Sequence, residues 1–167
     1  MADVGVFEKD FMFKAALDGA RELLSAHGGK MPSGSPKEQL EFLLGTFREI
    51  RFGDFRICDL RESERLAVVC CSNAPEALVF QKNKDLQREP VCSYTSGVLA
   101  WVGRLAFDGE RAPDSDISAY EVECIAQGNR ECKFVIAPQD HLKKIYPRFA
   151  TFGLPSSDRE LRLNEEI

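Results

Sequence analysis

The apolar residues change period at Gly53, and that change confines the chain to folds that combine helices with an antiparallel sheet. Before it, "FMFKAALDGARELLSAHGG" sets Phe13, Leu17, Ala20 and Leu24 at helical spacing, with Gly28 and Gly29 as a stop. After the loop "MPSGSP", Ser35 reads as an N-cap, Pro36 as the first helical residue and Glu38 as the partner in a capping box. The helix that follows carries Leu40, Leu43, Leu44, Phe47 and Ile50 on one face and is expected to end at Gly53. Beyond Gly53 the pattern alternates. "DFRICDL" and "RLAVVCC" flank "RESE" as one hairpin, and "ISAYEVECIA" and "ECKFVIA" flank Gly128 and Asn129 as a second.

Between the hairpins lie a short helix, "NAPEALVFQKN", a polar connection, "KDLQREP", and the segment "CSYTSGVLAWVGRLAF". The last is apolar nearly all round and has a stripe of small residues, Ser93, Ser96, Ala100 and Gly103, which suits a buried helix approached closely by another backbone. The stripe fits an internal contact or a dimer seam equally well. "DGERAPDSD" reads as an exposed loop, and "DHLKKIYPRF" as a short helix begun by Asp140. The order predicts an α+β fold: an antiparallel sheet of two hairpins packed against several helices. A single domain is expected over residues 1–152, followed by a polar C-terminal tail over 153–167.

At 167 residues such a domain buries a core without staples. The net charge of −5, with no basic run, argues against a nucleic-acid partner. Charges interrupt "MADVGVFEKDFMFKAALDG", so it lacks the apolar core of a signal peptide, and no run reaches the roughly 20 apolar residues that span a bilayer. The expected address is the cytoplasm, where thiols stay reduced. The six cysteines then read as metal ligands, redox groups or small buried residues rather than a disulfide framework.

Three of those cysteines draw attention. Cys124 and Cys132 each stand four residues from Gly128, so a tight hairpin would set them about 5 Å apart, close enough to share a tetrahedral metal. Cys92 opens the buried helix, where a helix N-terminus favours a thiolate. Glu121 lies three residues before Cys124, and a regular strand would aim it at the opposite face; it can join only across a bulge or a strand end. Glu123 is the weaker carboxylate candidate because it faces away from Cys124. The residues alone leave buried reduced cysteines, a zinc site and a redox pair all open.

The combination "CSYTSGVLAWVGRL" and "EVECIAQGNRECKFVI" resembles the 4-vinyl-reductase-type small-molecule-binding domains. Their relatives include the sensory domains of aromatic-responsive bacterial activators and TRAPP-type trafficking subunits. The carrying pattern is a Cys opening an apolar, Gly-containing helix, then Glu-x-x-Cys-x7-Cys-x-Phe around a Gly turn. "FGDFRICDLRESERLAVVCCSNAPEA" adds a looser match upstream. The resemblance implies that Cys92, Glu121, Cys124 and Cys132 hold a structural zinc, beside an apolar cavity between helices and sheet that takes a small hydrophobic ligand. It also implies a tryptophan on that ligand, which Trp101 matches, and a histidine, for which neither His27 nor His141 is suitably placed. That departure bears on phenol itself and not on a more apolar ligand.

Tyr94, Val98 and Leu105 join Trp101 as candidate pocket residues, against the alternative that all four are core packing. Cys70 and Cys71, adjacent in a strand, face opposite ways and read as one buried and one partly exposed structural thiol. Cys58 reads as a small strand residue, and His27 as a partner for carbonyls at a helix end. No phosphate loop, dinucleotide fingerprint or Ser-His-Asp order is present, so an enzymatic role lacks residues to carry it. The expectation is a zinc-stabilised sensor or carrier domain for a small hydrophobic, aromatic-type ligand, working as a homodimer. The alternatives are an interaction scaffold of the trafficking-subunit kind and a reductase or tetrapyrrole-handling protein.

Overall fold

The computed structural model describes residues 4–26, 33–82, 86–147 and 149. His27, the stop at Gly28 and Gly29, and the tail over 153–167 lie outside the described residues. Among the described residues the fold is α+β: four antiparallel strands in one sheet, with five α-helices. Helix α1 is Val4–Ala26 and α2 is Pro36–Glu49; strands β1, Phe55–Arg61, and β2, Leu66–Cys71, follow. Then come α3, Pro75–Gln81, and α4, Ser93–Asp108, strands β3, Ile117–Glu123, and β4, Cys132–Pro138, and finally α5, Gln139–Ile145.

The two expected hairpins form and join edge to edge in the order β1-β2-β4-β3, with β2 and β4 antiparallel from Ala67↔Ile136 to Cys71↔Cys132. Alternation along the strands then divides the residues between two faces. Ala67, Val69, Cys71, Phe134, Ile136, Ile117 and Ala119 form the inner face, under α1, α2 and α4. Leu66, Val135 and Ala137 form the outer one, closed by Leu142 of α5 and by Phe149.

Helix α4 lies between the sheet and α1, and its glycines set both distances. A Cβ at Gly103 would overlap the Cγ2 atoms of Ile136 and Ile117 on the sheet, and one at Gly97 would overlap the Phe13 carbonyl oxygen and the Ala16 side chain of α1. Ala100 is fully buried and Ser96 is 6% exposed. The small-residue stripe is therefore an internal contact.

Helix α2 starts as its sequence dictates. The Ser35 hydroxyl accepts from the Glu38 amide at 3.3 Å, and the Glu38 carboxylate accepts from the Ser35 amide at 2.7 Å. It ends earlier than expected. Arg51 turns left-handed at φ 60°, and Ile50, just past the last turn, leaves the buried face and is 50% exposed. The segment expected as an exposed loop winds instead into a 3-10 turn, Gly109–Asp114, that buries Ala112 at 1% exposure. Helix α5 begins at Gln139, after Pro138, one residue before Asp140. Among the described residues no helix is long and apolar enough to cross a membrane.

The cysteines off the inner cluster depart from expectation in two ways. Cys58 and Cys70 are joined as a disulfide across the β1–β2 hairpin. Cys70 and Cys71 are both buried, at 1% and 0% exposure. The strand alternation does hold, since Cys71 belongs to the inner core while its neighbour pairs with β1. The reading of Cys70 and Cys58 as separate structural thiols missed that a bulge in β1, between Ile57 and Asp59, brings Cys58 to its partner.

Candidate metal centre

Three elements converge on one buried cluster. Cys92 is the N-cap of α4, Glu121 lies in β3, and Cys124 and Cys132 flank the β3–β4 connection. Their four potential ligand atoms all lie within 4.8 Å of one another, and all four residues are buried. The sulfurs form a nearly equilateral triangle: 3.8 Å from Cys92 to Cys132, 4.0 Å from Cys92 to Cys124 and 3.9 Å from Cys124 to Cys132.

A bulge solves the facing problem of Glu121. In the β3–β4 ladder Glu121 pairs with Phe134, but Glu123 pairs with Lys133, so Val122 is an extra residue. That single insertion reverses the alternation, so Glu121 and Cys124 turn to the same side. Glu123 goes to the other side, where its carboxylate meets the Lys133 ammonium. It is no ligand competitor.

The connection between the two cysteines is longer than a tight hairpin turn. A 3-10 turn, Ile125–Gln127, leads to Gly128 at φ 93°, a left-handed conformation that glycine adopts without strain. The Cys124 carbonyl accepts from the amides of Gln127 at 3.0 Å and Asn129 at 3.3 Å, which fixes the loop that presents the thiol.

The start of α4 is held by a residue that sequence reading passed over. Glu76, near the beginning of α3, accepts from the amides of Tyr94 at 2.9 Å and Thr95 at 2.7 Å, and from the Thr95 hydroxyl at 2.8 Å. It supplies from another element the cap that Cys92 cannot make. No local pattern announces it, because the contact spans 18 residues from Glu76 to Tyr94.

The cluster is electrostatically incomplete by itself. Cys92 and Cys132 turn their thiols toward Cys124, whose sulfur is favoured as the thiolate, its pKa lowered by both contacts. Those same contacts, with burial, push the Cys92 and Cys132 thiols up. Burial first, then the neighbouring Cys124 charge, raises the Glu121 carboxyl to about 8. Its Oε2 accepts from the Cys92 amide at 2.8 Å, whereas Oε1 is buried with no hydrogen-bond partner. Three sulfurs and an orphaned carboxylate oxygen form a Cys3Glu cluster that could hold a metal ion.

The candidate pocket residues share one stripe of α4, turned away from the Gly103 side that rests on the sheet. Val98 and Trp101 are buried, and Tyr94 and Leu105 pack partly buried against the same core. The Tyr94 ring lies 6.0 Å from that of Phe52, and a Cβ on Gly19 of α1 would lie 3.8 Å from its hydroxyl. Trp101 is 6% exposed, and its Nε1 is a buried donor with no partner. His141 sits on α5, beyond the opposite face of the sheet.

No protein-family model matches the chain, and no curated protein matches it by sequence. Solved structures do. The phenol-responsive sensory domain of the transcription activator PoxR, crystallised with phenol, superposes with a TM-score of 0.67 at 13% identity, covering 88% of this chain and 72% of that one. A vinyl-4-reductase family protein from Methanocaldococcus jannaschii gives a looser likeness, with a TM-score of 0.47 at 19% identity over 75% of this chain and 66% of that one. The likeness to the PoxR domain establishes a shared fold.

Proposed function

We propose that this chain is a zinc-stabilised sensor or carrier domain that binds a small hydrophobic, aromatic-type ligand in an internal cavity. The observation that carries the reading is the Cys92, Glu121, Cys124 and Cys132 cluster, built into the fold of a phenol-responsive sensory domain. Zinc bonds to sulfur of about 2.3 Å set tetrahedral thiolates about 3.8 Å apart, which fits sulfurs separated by 3.8–4.0 Å. A set of three thiolates and one carboxylate suits zinc, and four protein ligands leave no open position, so the bound ion serves as a staple. It ties the first turn of α4 to β3 and β4. On the next turns of that helix, Trp101 has an Nε1–H to offer a ligand oxygen, with Tyr94, Val98 and Leu105 supplying apolar surface.

The reading predicts one zinc per chain by native mass spectrometry of freshly purified protein, and uptake of added alkylphenols or related apolar aromatics. Protein that carries no metal when purified under reducing conditions, and takes up none of these compounds, would remove it.

A further inference from the structure

The Cys58–Cys70 disulfide joins two sulfurs in unlike surroundings. Cys58 is exposed, at the β1 bulge between Ile57 and Asp59, while Cys70 is 1% exposed. Arg56 places Nη1 3.0 Å from the Cys58 sulfur, and its Nη2 donates to both carboxylate oxygens of Glu131 at 2.7 Å. The guanidinium is thus held by Glu131, the residue before β4, and presents a cation to one sulfur of the pair. The cross-link closes a loop of only 12 residues, which constrains the unfolded chain less than a longer loop would. A reachable sulfur with a cation beside it favours thiol exchange.

We propose that Cys58 and Cys70 are a reversible thiol-exchange pair, with Cys58 the sulfur that takes up a low-molecular-weight thiol and Cys70 the thiol that resolves the adduct. In the reducing direction an external thiolate of the glutathione class attacks the Cys58 sulfur. The protein S–S bond breaks, and Cys70 leaves as a thiolate and takes a proton. A second external thiolate attacks the adduct, forms the external disulfide and releases Cys58 as a thiolate beside Arg56. Two electrons reach the cysteine pair as two external thiols become one disulfide; of the two protons those thiols release, one goes to Cys70 and the other to solvent while Cys58 stays a thiolate. In the oxidising direction the external disulfide is the acceptor and the same bonds form in reverse.

The test equilibrates the full chain in mixtures of reduced and oxidised glutathione, traps free thiols by alkylation and maps each cysteine by mass spectrometry. Wild-type protein is expected to interconvert between dithiol and internal disulfide with no lasting adduct. Cys70→Ser is expected to accumulate glutathione on Cys58, and Cys58→Ser to leave Cys70 unmodified. Arg56→Gln is expected to slow adduct formation in the Cys70→Ser background roughly tenfold, the order by which a neighbouring cation changes the ionised fraction of a thiol. Three outcomes would overturn the proposal: a wild-type bond that stays closed throughout, glutathione that lands on other cysteines, or a second metal ion held by Cys58, Cys70 and Glu131, whose ligand atoms also lie within 4.8 Å.

Discussion

Replacing Glu121 with Gln sets burial against metal binding. In metal-free protein the carboxyl is 4% exposed, and burial together with the Cys124 sulfur holds its pKa at about 8 against an ordinary 4.5. A folded-state value above the unfolded one means that the fold prefers the protonated acid. Its contribution is therefore fully present below 4.5 and is lost as pH rises toward 8. At about 1.4 kcal/mol per pH unit, that interval sets an upper limit on the order of 5 kcal/mol. Glu121→Gln keeps the shape and an oxygen for the Cys92 amide but cannot ionise. Urea unfolding of chelator-treated protein, kept reduced, should give similar stabilities for both forms near pH 5. Near pH 8 the variant should be the more stable by several kcal/mol. Zinc should reverse that order, because the variant loses an anionic ligand; its zinc affinity should fall by at least about 100-fold, the upper end of what losing an outer partner costs. A wild-type minus variant difference that stays flat from pH 5 to 8 without metal would refute the reasoning.

Gly97→Ala gains roughly 1 kcal/mol of helix propensity, but its methyl overlaps the Phe13 carbonyl and Ala16; the net expectation is a loss of about 1–3 kcal/mol, read by denaturant midpoint. Gly45→Ala, which meets nothing within 4 Å, is the matched control and should not destabilise. Glu76→Ala strips the amides of Tyr94 and Thr95 of their acceptor; it should cost about 1–2 kcal/mol and accelerate zinc transfer to a chromogenic chelator, because Cys92 sits on the freed turn. Trp101→Phe keeps an aromatic ring but removes the unpaired donor and one ring of the buried indole; stability should fall by about 1–3 kcal/mol, read by denaturant midpoint, while calorimetry should show that the loss of affinity is larger for hydroxylated aromatics than for their hydrocarbon counterparts.

What could be read directly from the sequence was local. The capping box needs only Ser35, Pro36 and Glu38, and it forms as written. The two hairpins follow from alternation over a few residues, and the burial of α4 from its nearly continuous apolar run. The three cysteines of the inner cluster were also legible, because a helix start and a hairpin turn are local signals. Glu121 was legible only in part: its residue type fitted a ligand, but its facing depended on an extra residue at Val122 that no alternation pattern reveals.

The remaining features were decided in three dimensions. Cys58 reached Cys70 through a bulge, against an expectation of reduced thiols. Ala112 was buried by a turn whose polar neighbours read as loop. Glu76 capped α4 from another helix, and Gly97 owed its role to Phe13 and Ala16 on α1. Periodicity and caps arise from a residue's near neighbours and so are written along the chain. A bulge, a cross-strand sulfur pair and a distant cap are fixed only when separate elements share one close-packed interior, where one inserted residue or one missing Cβ decides which atoms meet.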